Sequence, residues 1–309
     1  MFSAAAAAAA TRQAGRHHGL ARQWLNGVAA MRRGVSSLSS SIHISSVPAP
    51  HSGSIAVISL NRPRARNAIS TQLLSELGGV VEGLHREGGG GGTGSTRALI
   101  LASECDDAFC AGADLKERVN MSQADVEAFL RDLRATFTRL ATLPTPPPSP
   151  PLSGTAFGGG LEIALCTHFR VALPETRLAI IPGGGEAPIV CPPSSAPTRA
   201  RDMILTGRRV SGPEAYFLGL ADRLVEVNEE QQKAPGVARG LVMEQAIDLA
   251  RVICEGGPVA IKAAQQAMDG WGQGEERENA AYDMVLRTED RTEALKAFGE
   301  KRKPVFKGR

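Results

Sequence analysis

The chain has no acidic residue before Glu76, no apolar run long enough to cross a bilayer, no cysteine pair at metal-ligand spacing and no large excess of either charge. Each absence excludes something. Without about 18 consecutive apolar residues, a membrane-spanning helix is excluded. The cysteines, Cys105, Cys110, Cys166, Cys191 and Cys254, are odd in number and irregular in spacing. They read as reduced thiols, not as a disulfide framework. The six histidines supply no ligand motif, and no metal is expected. The acid-free start is itself informative: residues 1–45 carry Arg12, Arg16, Arg22, Arg32 and Arg33 among many Ala and Ser. That is the pattern of a mitochondrial transit peptide, which implies a matrix protein. The chain holds 35 basic and 32 acidic residues, and setting those five arginines aside leaves 30 against 32. A mature chain so near neutrality lacks the basic excess of a nucleic-acid binder. The C-terminal run Lys296, Lys301, Arg302, Lys303, Lys307 and Arg309 is a local exception, so RNA binding is an alternative that the overall charge does not favour.

What is present is an α/β succession. Hydrophobic residues make up 42% of the chain, enough for an ordinary core. Ser54–Leu60 reads as a first strand, and a helix is predicted from Ser70 with Leu73, Leu74, Leu77, Val80 and Val81 on one face. Glycines 88–92 make a loop, and Arg97–Ala102 reads as a buried strand. Ser122 with Asp125 marks a capped helix whose apolar face runs through Phe129, Leu133 and Phe137. Prolines crowd residues 144–151 and argue against a regular sheet interior there. Short strands are expected at Phe169–Ala172 and Ala221–Val227, with a capped helix from Ser211 between them. Beyond about Gly240 the pattern is helical. The predicted organisation is a transit peptide over 1–45, an α/β core over 46–235 and a helical region over 236–309.

Two glycine-bearing segments carry the chemistry: Phe109-Cys110-Ala111-Gly112-Ala113-Asp114-Leu115-Lys116 and Ala156-Phe157-Gly158-Gly159-Gly160-Leu161-Glu162. Neither fits a phosphate loop or a dinucleotide fingerprint. Each offers a backbone N–H beside a turn, and the second places a carboxylate in the first turn of a predicted helix. Two N–H groups aimed at one oxygen stabilise an enolate more than its parent carbonyl. The candidate donors are Ala113 and Gly159.

Taken in order, the motifs resemble the enoyl-CoA hydratase/isomerase (crotonase) superfamily, most of all its mitochondrial short-chain enoyl-CoA and methylglutaconyl-CoA hydratases. Asn61-Arg62-Pro63 with Ala65-Arg66-Asn67-Ala68 is similar to the first coenzyme A loop, Phe109–Lys116 to the second, and Ser153–Glu162 to the loop bearing the first acid. Leu173-Pro174-Glu175 with Ile181-Pro182-Gly183 is similar to the segment bearing the second. The resemblance implies a crotonase-like ββα spiral with a C-terminal helical oligomerisation region, and a homotrimer or homohexamer. It implies Glu162 and Glu175 as the acid/base pair. Coenzyme A contacts are implied at Arg64, Ala65, Ala111, Ala113, Asp114, Leu115, Tyr282 and Lys301. The implied reaction is addition of water to a 2-enoyl-CoA, in fatty-acid or branched-chain amino-acid breakdown, with no cofactor beyond the coenzyme A of the substrate. The rivals are an enoyl-CoA isomerase and a non-catalytic member that binds coenzyme A or RNA.

The sequence departs from that pattern in three places, all near the site. The stretch between Glu162 and Glu175 is several residues shorter than in the family, and a deletion there bears on the placement of Glu175. The segment Gly184–Ser195, with a spare carboxylate at Glu186, is poor helix material. Pro144–Pro151 stands where an apolar strand is expected.

Overall fold

The computed structural model describes residues 40–88, 95–143, 151–180, 197–269 and 283–309. Tyr282, Glu186 and most of the predicted transit peptide lie outside them. The chain divides between Ser40 and Ser41, and Ser41–Arg309 forms one compact unit.

The first sheet is built from β1 (Ile42–Pro48), β2 (Ser54–Leu60) and β3 (Thr96–Ser103). β1 pairs antiparallel with β2 from Ile42↔Leu60 to Pro48↔Ser54, and β2 pairs in parallel with β3. β1 starts inside the segment expected to be targeting sequence. Its signal is weak because only Ile42 is buried and the next four residues are exposed, as on an edge strand. The parallel step from β2 to β3 runs through α1 (Thr71–Gly88), which buries Leu73, Leu74, Leu77, Val81 and Leu84 on one face. That spacing is the expected helical stripe. α2 (Leu115–Arg118) is a single turn capped by Asp114. α3 (Gln123–Ala141) opens on a complete Ser122/Asp125 capping box and packs against α1.

Two continuous strand paths then cross the molecule side by side. The first runs through β5 (Pro151–Leu152) and β6 (Thr155–Phe157), the second through β7 (Val171–Ala172) and β8 (Arg177–Ala179). β5 pairs in parallel with β7, and β6 pairs in parallel with β8. β4 (Ala108–Cys110) lies on the other side of β6, while β9 (Val210–Ser211) closes the far edge antiparallel to β8. β10 (Arg223–Leu224) pairs with β7. Pro151 takes part in a strand because it is the first residue of one, where its missing N–H costs no ladder bond.

Between the strand paths lies α4 (Gly159–Leu165), every residue of which is buried. α5 (Pro197–Thr206), α6 (Gly212–Phe217, with Ser211 as cap) and α7 (Glu229–Lys233) follow. α8 (Val237–Cys254) packs against β3, β5 and β7 through a face that includes Val242, Ala246, Ile247 and Ala250. It is therefore part of the core, and the unit is continuous across residue 235. α9 (Pro258–Asp269) and α10 (Glu289–Gly299) follow.

Candidate active site

The two glycine segments meet at the ends of β4 and β6. Gly112 has φ 92°, a conformation that disfavours any other residue, and a Cβ there would lie 2.7 Å from the Phe157 carbonyl oxygen and 3.6 Å from the Gly159 nitrogen. The second glycine requirement is steric: a Cβ on Gly160 would stand 2.1 Å from the carbonyl oxygen of Cys110. The first turn of α4 therefore rests directly on the end of β4. This close approach brings the Gly112–Ala113 turn beside the N-terminus of α4.

A bridge fixes the direction of the Ala113 N–H. Ile69 donates to the Gly112 carbonyl at 2.7 Å, and Asp114 donates to the Ile69 carbonyl at 3.0 Å. That pairing uses the groups on either side of Ala113 and turns its own N–H away from Ile69. The Gly159 N–H opens a helix, where the first N–H groups have no intrahelical acceptor. Among the described residues neither N–H has a backbone acceptor. The Gly112–Ala113 turn and the Gly159 N–H thus lie close together at the start of α4.

The loop beneath is held by Arg62 and Asn67. Asn67 is fully buried; its amide donates to Ser103 Oγ at 2.8 Å and to the Phe109 carbonyl at 3.0 Å, and its Oδ1 accepts the Arg62 N–H at 2.8 Å. It adopts a left-handed conformation (φ 56°), which Asn tolerates better than most residues. Arg62 donates to the Ala68 carbonyl and pairs with Asp114 at 2.9 Å. Glu117 ties the same two loops through Thr71, whose N–H and hydroxyl it accepts at 2.9 and 2.7 Å. The sequence motif contained these residues but gave no sign that they brace the loops; only the buried polar network reveals it.

Between the braced loops lies an open cleft of about 790 Å³. Arg64, Ala65, Ala111, Asp114 and Leu115, five of the eight predicted coenzyme A residues, line it. Arg62, Arg66 and Lys116 add positive charge. Arg62 and Arg66 are paired with Asp114 and Asp107, whereas Arg64 and Lys116 have no ion-pair partner among the described residues. Ala113 adjoins this lining. Lys301 is exposed in the turn after α10 and does not line the cleft, and Tyr282 lies outside the described residues.

Glu162 follows Gly159 by three residues and so shares its face of α4. It is 9% exposed, and its Oε2 has no hydrogen-bond partner among the described residues. Burial raises its pKa to about 7, against an opposing pull from the Arg134 charge on α3. Arg134 carried no sequence signal, because an exposed helical arginine is the commonest kind. The thiols of Cys110 and Cys166 are pushed up to about 12 by burial and stay protonated.

Glu175 lies on the second strand path, on a different element from Glu162. The paired strand paths have unequal lengths: Leu152 pairs with Ala172 and Ala156 with Leu178, so the β7–β8 side carries two extra residues. They are extruded as a turn at Leu173–Thr176, closed by the Thr176 N–H on the Leu173 carbonyl at 3.1 Å. Glu175 rides on that turn and is exposed. The connection leaves Pro174–Glu175 in the turn and uses Arg177–Ala179 as the strand.

The enoyl-CoA hydratase/isomerase family matches residues 51–309. An enoyl-CoA isomerase/hydratase of Zymoseptoria tritici is 64% identical over 280 residues, covering 88% of this chain and 90% of its own. A protein named methylglutaconyl-CoA hydratase 1, mitochondrial, of Pyricularia oryzae is 50% identical, covering 87% of each chain. The crystal structure of an enoyl-CoA hydratase from Bacillus anthracis superposes with a TM-score of 0.73 at 34% identity, covering 87% of this chain and 100% of its own. With the glycine-braced donors and the buried glutamate set in a matching α/β framework, the chain belongs to the enoyl-CoA hydratase/isomerase family, the crotonase superfamily.

Proposed function

We propose that the protein adds water across the double bond of a 2-enoyl-CoA thioester. The carrying observation is the buried Glu162, with its pKa near 7, on the same helix face as the Gly159 N–H. The thioester carbonyl oxygen accepts the Ala113 and Gly159 N–H groups, which favour the enolate over the ground-state carbonyl. The water oxygen bonds to the β-carbon, the π electrons move through the α-carbon onto the carbonyl oxygen, and the collapsing enolate takes a proton at the α-carbon. Glu162 accepts the proton that water loses and returns one to carbon. A carboxyl half-ionised at neutral pH serves both halves of that exchange. The cleft cations Arg64 and Lys116 face the phosphates of coenzyme A, and no metal or redox cofactor takes part.

The names of the relatives at 50% and 37% identity support hydration, with 3-methylglutaconyl-CoA as a candidate substrate, and support a mitochondrial location. A homotrimer or homohexamer is the accompanying assembly. A second reading, isomerisation of a 3-enoyl-CoA to the conjugated 2-enoyl-CoA, is favoured by the exposure of Glu175, because a double-bond shift needs no water and can move one proton through one carboxyl.

The test is thioester absorbance. Loss of the conjugated chromophore from crotonyl-CoA and 3-methylglutaconyl-CoA, abolished by Glu162→Gln and retained by Glu175→Gln, is the expected outcome. A gain of chromophore from a 3-enoyl-CoA without loss from either conjugated substrate would establish isomerisation instead. No turnover of any of them by a folded protein that binds coenzyme A would refute both.

A further inference from the structure

Glu117 is an acid in a cleft whose other charges are mostly positive, and both of its oxygens are given to one residue. Arg62, Arg64, Arg66 and Lys116 line the same cleft. Asp114, the other acid there, is paired with Arg62, whereas Glu117 forms no ion pair among the described residues. Its Oε2 accepts the Thr71 N–H at 2.9 Å, and its Oε1 accepts the Thr71 hydroxyl at 2.7 Å. Thr71 is the first residue of α1, where N–H groups have no intrahelical acceptor and negative charge is favoured. That helix already has a local cap, Ser70, whose Oγ accepts the Leu73 N–H at 3.1 Å. Glu117 thus adds a second hold on the helix start, although its charge works against a polyanionic ligand in the cleft. What the contact supplies is position. The segment that starts α1 and the segment that carries Ala113 meet at one isolated parallel bridge, Ile69 with Ala113. Its two hydrogen bonds both run through Ile69, so the bridge alone leaves a hinge about that residue. The carboxylate on Thr71 closes the hinge four residues beyond Ala113.

We propose that Glu117 is a positioning residue: by gripping Thr71 at both its N–H and its hydroxyl, it sets the aim of the Ala113 N–H on the thioester oxygen. This rests on the reading of Ala113 as an oxyanion donor and adds the residue that aims it. The Arg62–Asp114 pair holds the two loops together beside the bridge. Glu117 holds them one turn further along, so the stretch between cannot rotate about Ile69. An oxyanion donor acts only within hydrogen-bond distance of the oxygen, and loss of its aim lowers the rate rather than the binding. The charge of the carboxylate plays no part in the clamp. An amide in its place still accepts the Thr71 N–H through Oε1 and can donate to the hydroxyl oxygen. It would also take a negative charge out of a cleft that receives phosphates.

Two variants separate the clamp from a merely structural role. Glu117→Ala should lower kcat about 10–100-fold without raising KM for a coenzyme A thioester. Glu117→Gln should keep most of kcat and lower that KM. An unchanged kcat in Glu117→Ala would overturn the inference and leave Glu117 a helix cap. So would a rise in its KM, which would mark loosening of the cleft walls, and so would an equal loss of kcat in Glu117→Gln. A second readout needs no turnover: the infrared carbonyl stretch of crotonyl-CoA bound to the Glu162→Gln protein. Held by the two donors, the carbonyl should absorb at lower frequency than in water. Glu117→Ala in that background should reverse part of the shift, and an unchanged shift would overturn the inference. No shift with Glu117 in place would overturn the donor assignment and this inference with it. Absent turnover, with a shift that answers to Glu117, would overturn the proposed reaction alone. Should Glu117→Ala fail to fold, Thr71→Val takes its place with the same expected directions, because it keeps the N–H and deletes the hydroxyl.

Discussion

Replacing Glu162 by Gln should make the protein more stable above neutral pH while destroying its proposed activity. The carboxyl's pKa rises from 4.5 to about 7 on folding, chiefly through burial. Between those values the unfolded chain has released the proton while the native protein still holds it. The native state then binds more protons than the unfolded one, so stability falls as pH rises through that window. At about 1.36 kcal/mol per unit, the full shift corresponds to an upper bound of roughly 3.4 kcal/mol above pH 7. Solvent reaching the carboxylate reduces this, and about 2 kcal/mol is the working value. Gln has nearly the same shape and never ionises. At pH 5, where native Glu162 is protonated, the two proteins should have similar thermal midpoints; at pH 8 the variant should melt about 4–8 °C higher. The same substitution should lower hydration by about 10²–10⁴-fold, the usual contribution of a general acid or base. A midpoint difference that is the same at pH 5 and pH 8 would refute the reasoning, because it would mean that Glu162 titrates as an ordinary surface carboxyl.

The other predictions concern the braces and the cleft. Gly160→Ala would set a methyl 2.1 Å from the Cys110 carbonyl oxygen; the strain should cost about 1–3 kcal/mol in denaturant titration and misplace the Gly159 donor. Arg62→Ala removes the 2.9 Å pair with Asp114 and the donor to the Ala68 carbonyl, and should cost about 1.5–3 kcal/mol as a charge-assisted brace, checked by the same titration. Arg64→Ala and Lys116→Ala should raise KM for a coenzyme A thioester several-fold with kcat held, yet leave KM for the matching N-acetylcysteamine thioester unchanged, since that analogue carries no phosphates. Equal effects on both thioesters would place these cations away from the phosphates.

What was legible in the sequence is what short-range chemistry determines. The Ser122/Asp125 capping box, the apolar stripe of α1 and the run of β2 are each specified within a few residues, and each appears where the pattern places it. The glycines were legible too, because a backbone that must pass within van der Waals contact of another leaves room for little else. β1 was obscured by its setting, a mostly exposed edge strand adjoining an arginine-rich, acid-free segment that reads as one unit with it. Arg62 and Asn67 were visible as motif members but not as braces, since their partners Asp114, Ser103 and Phe109 are distant in sequence.

Glu175 exposes the limit most clearly. Its neighbours Leu173, Pro174 and Thr176 look the same whether the glutamate sits within a strand or on a turn. The choice is made by register, and register here is set from both sides. Leu152 holds Ala172 opposite it, and its carbonyl also accepts the Thr176 hydroxyl at 2.7 Å, while Ala156 holds Leu178. Any slip that carried Glu175 toward the strand end would uncover Leu178 and break both pairings, because one step in a strand reverses every side chain. The place of Glu175 on the turn is therefore enforced by strand pairing, so its position is set as much by the length of one connection as by the residues around it.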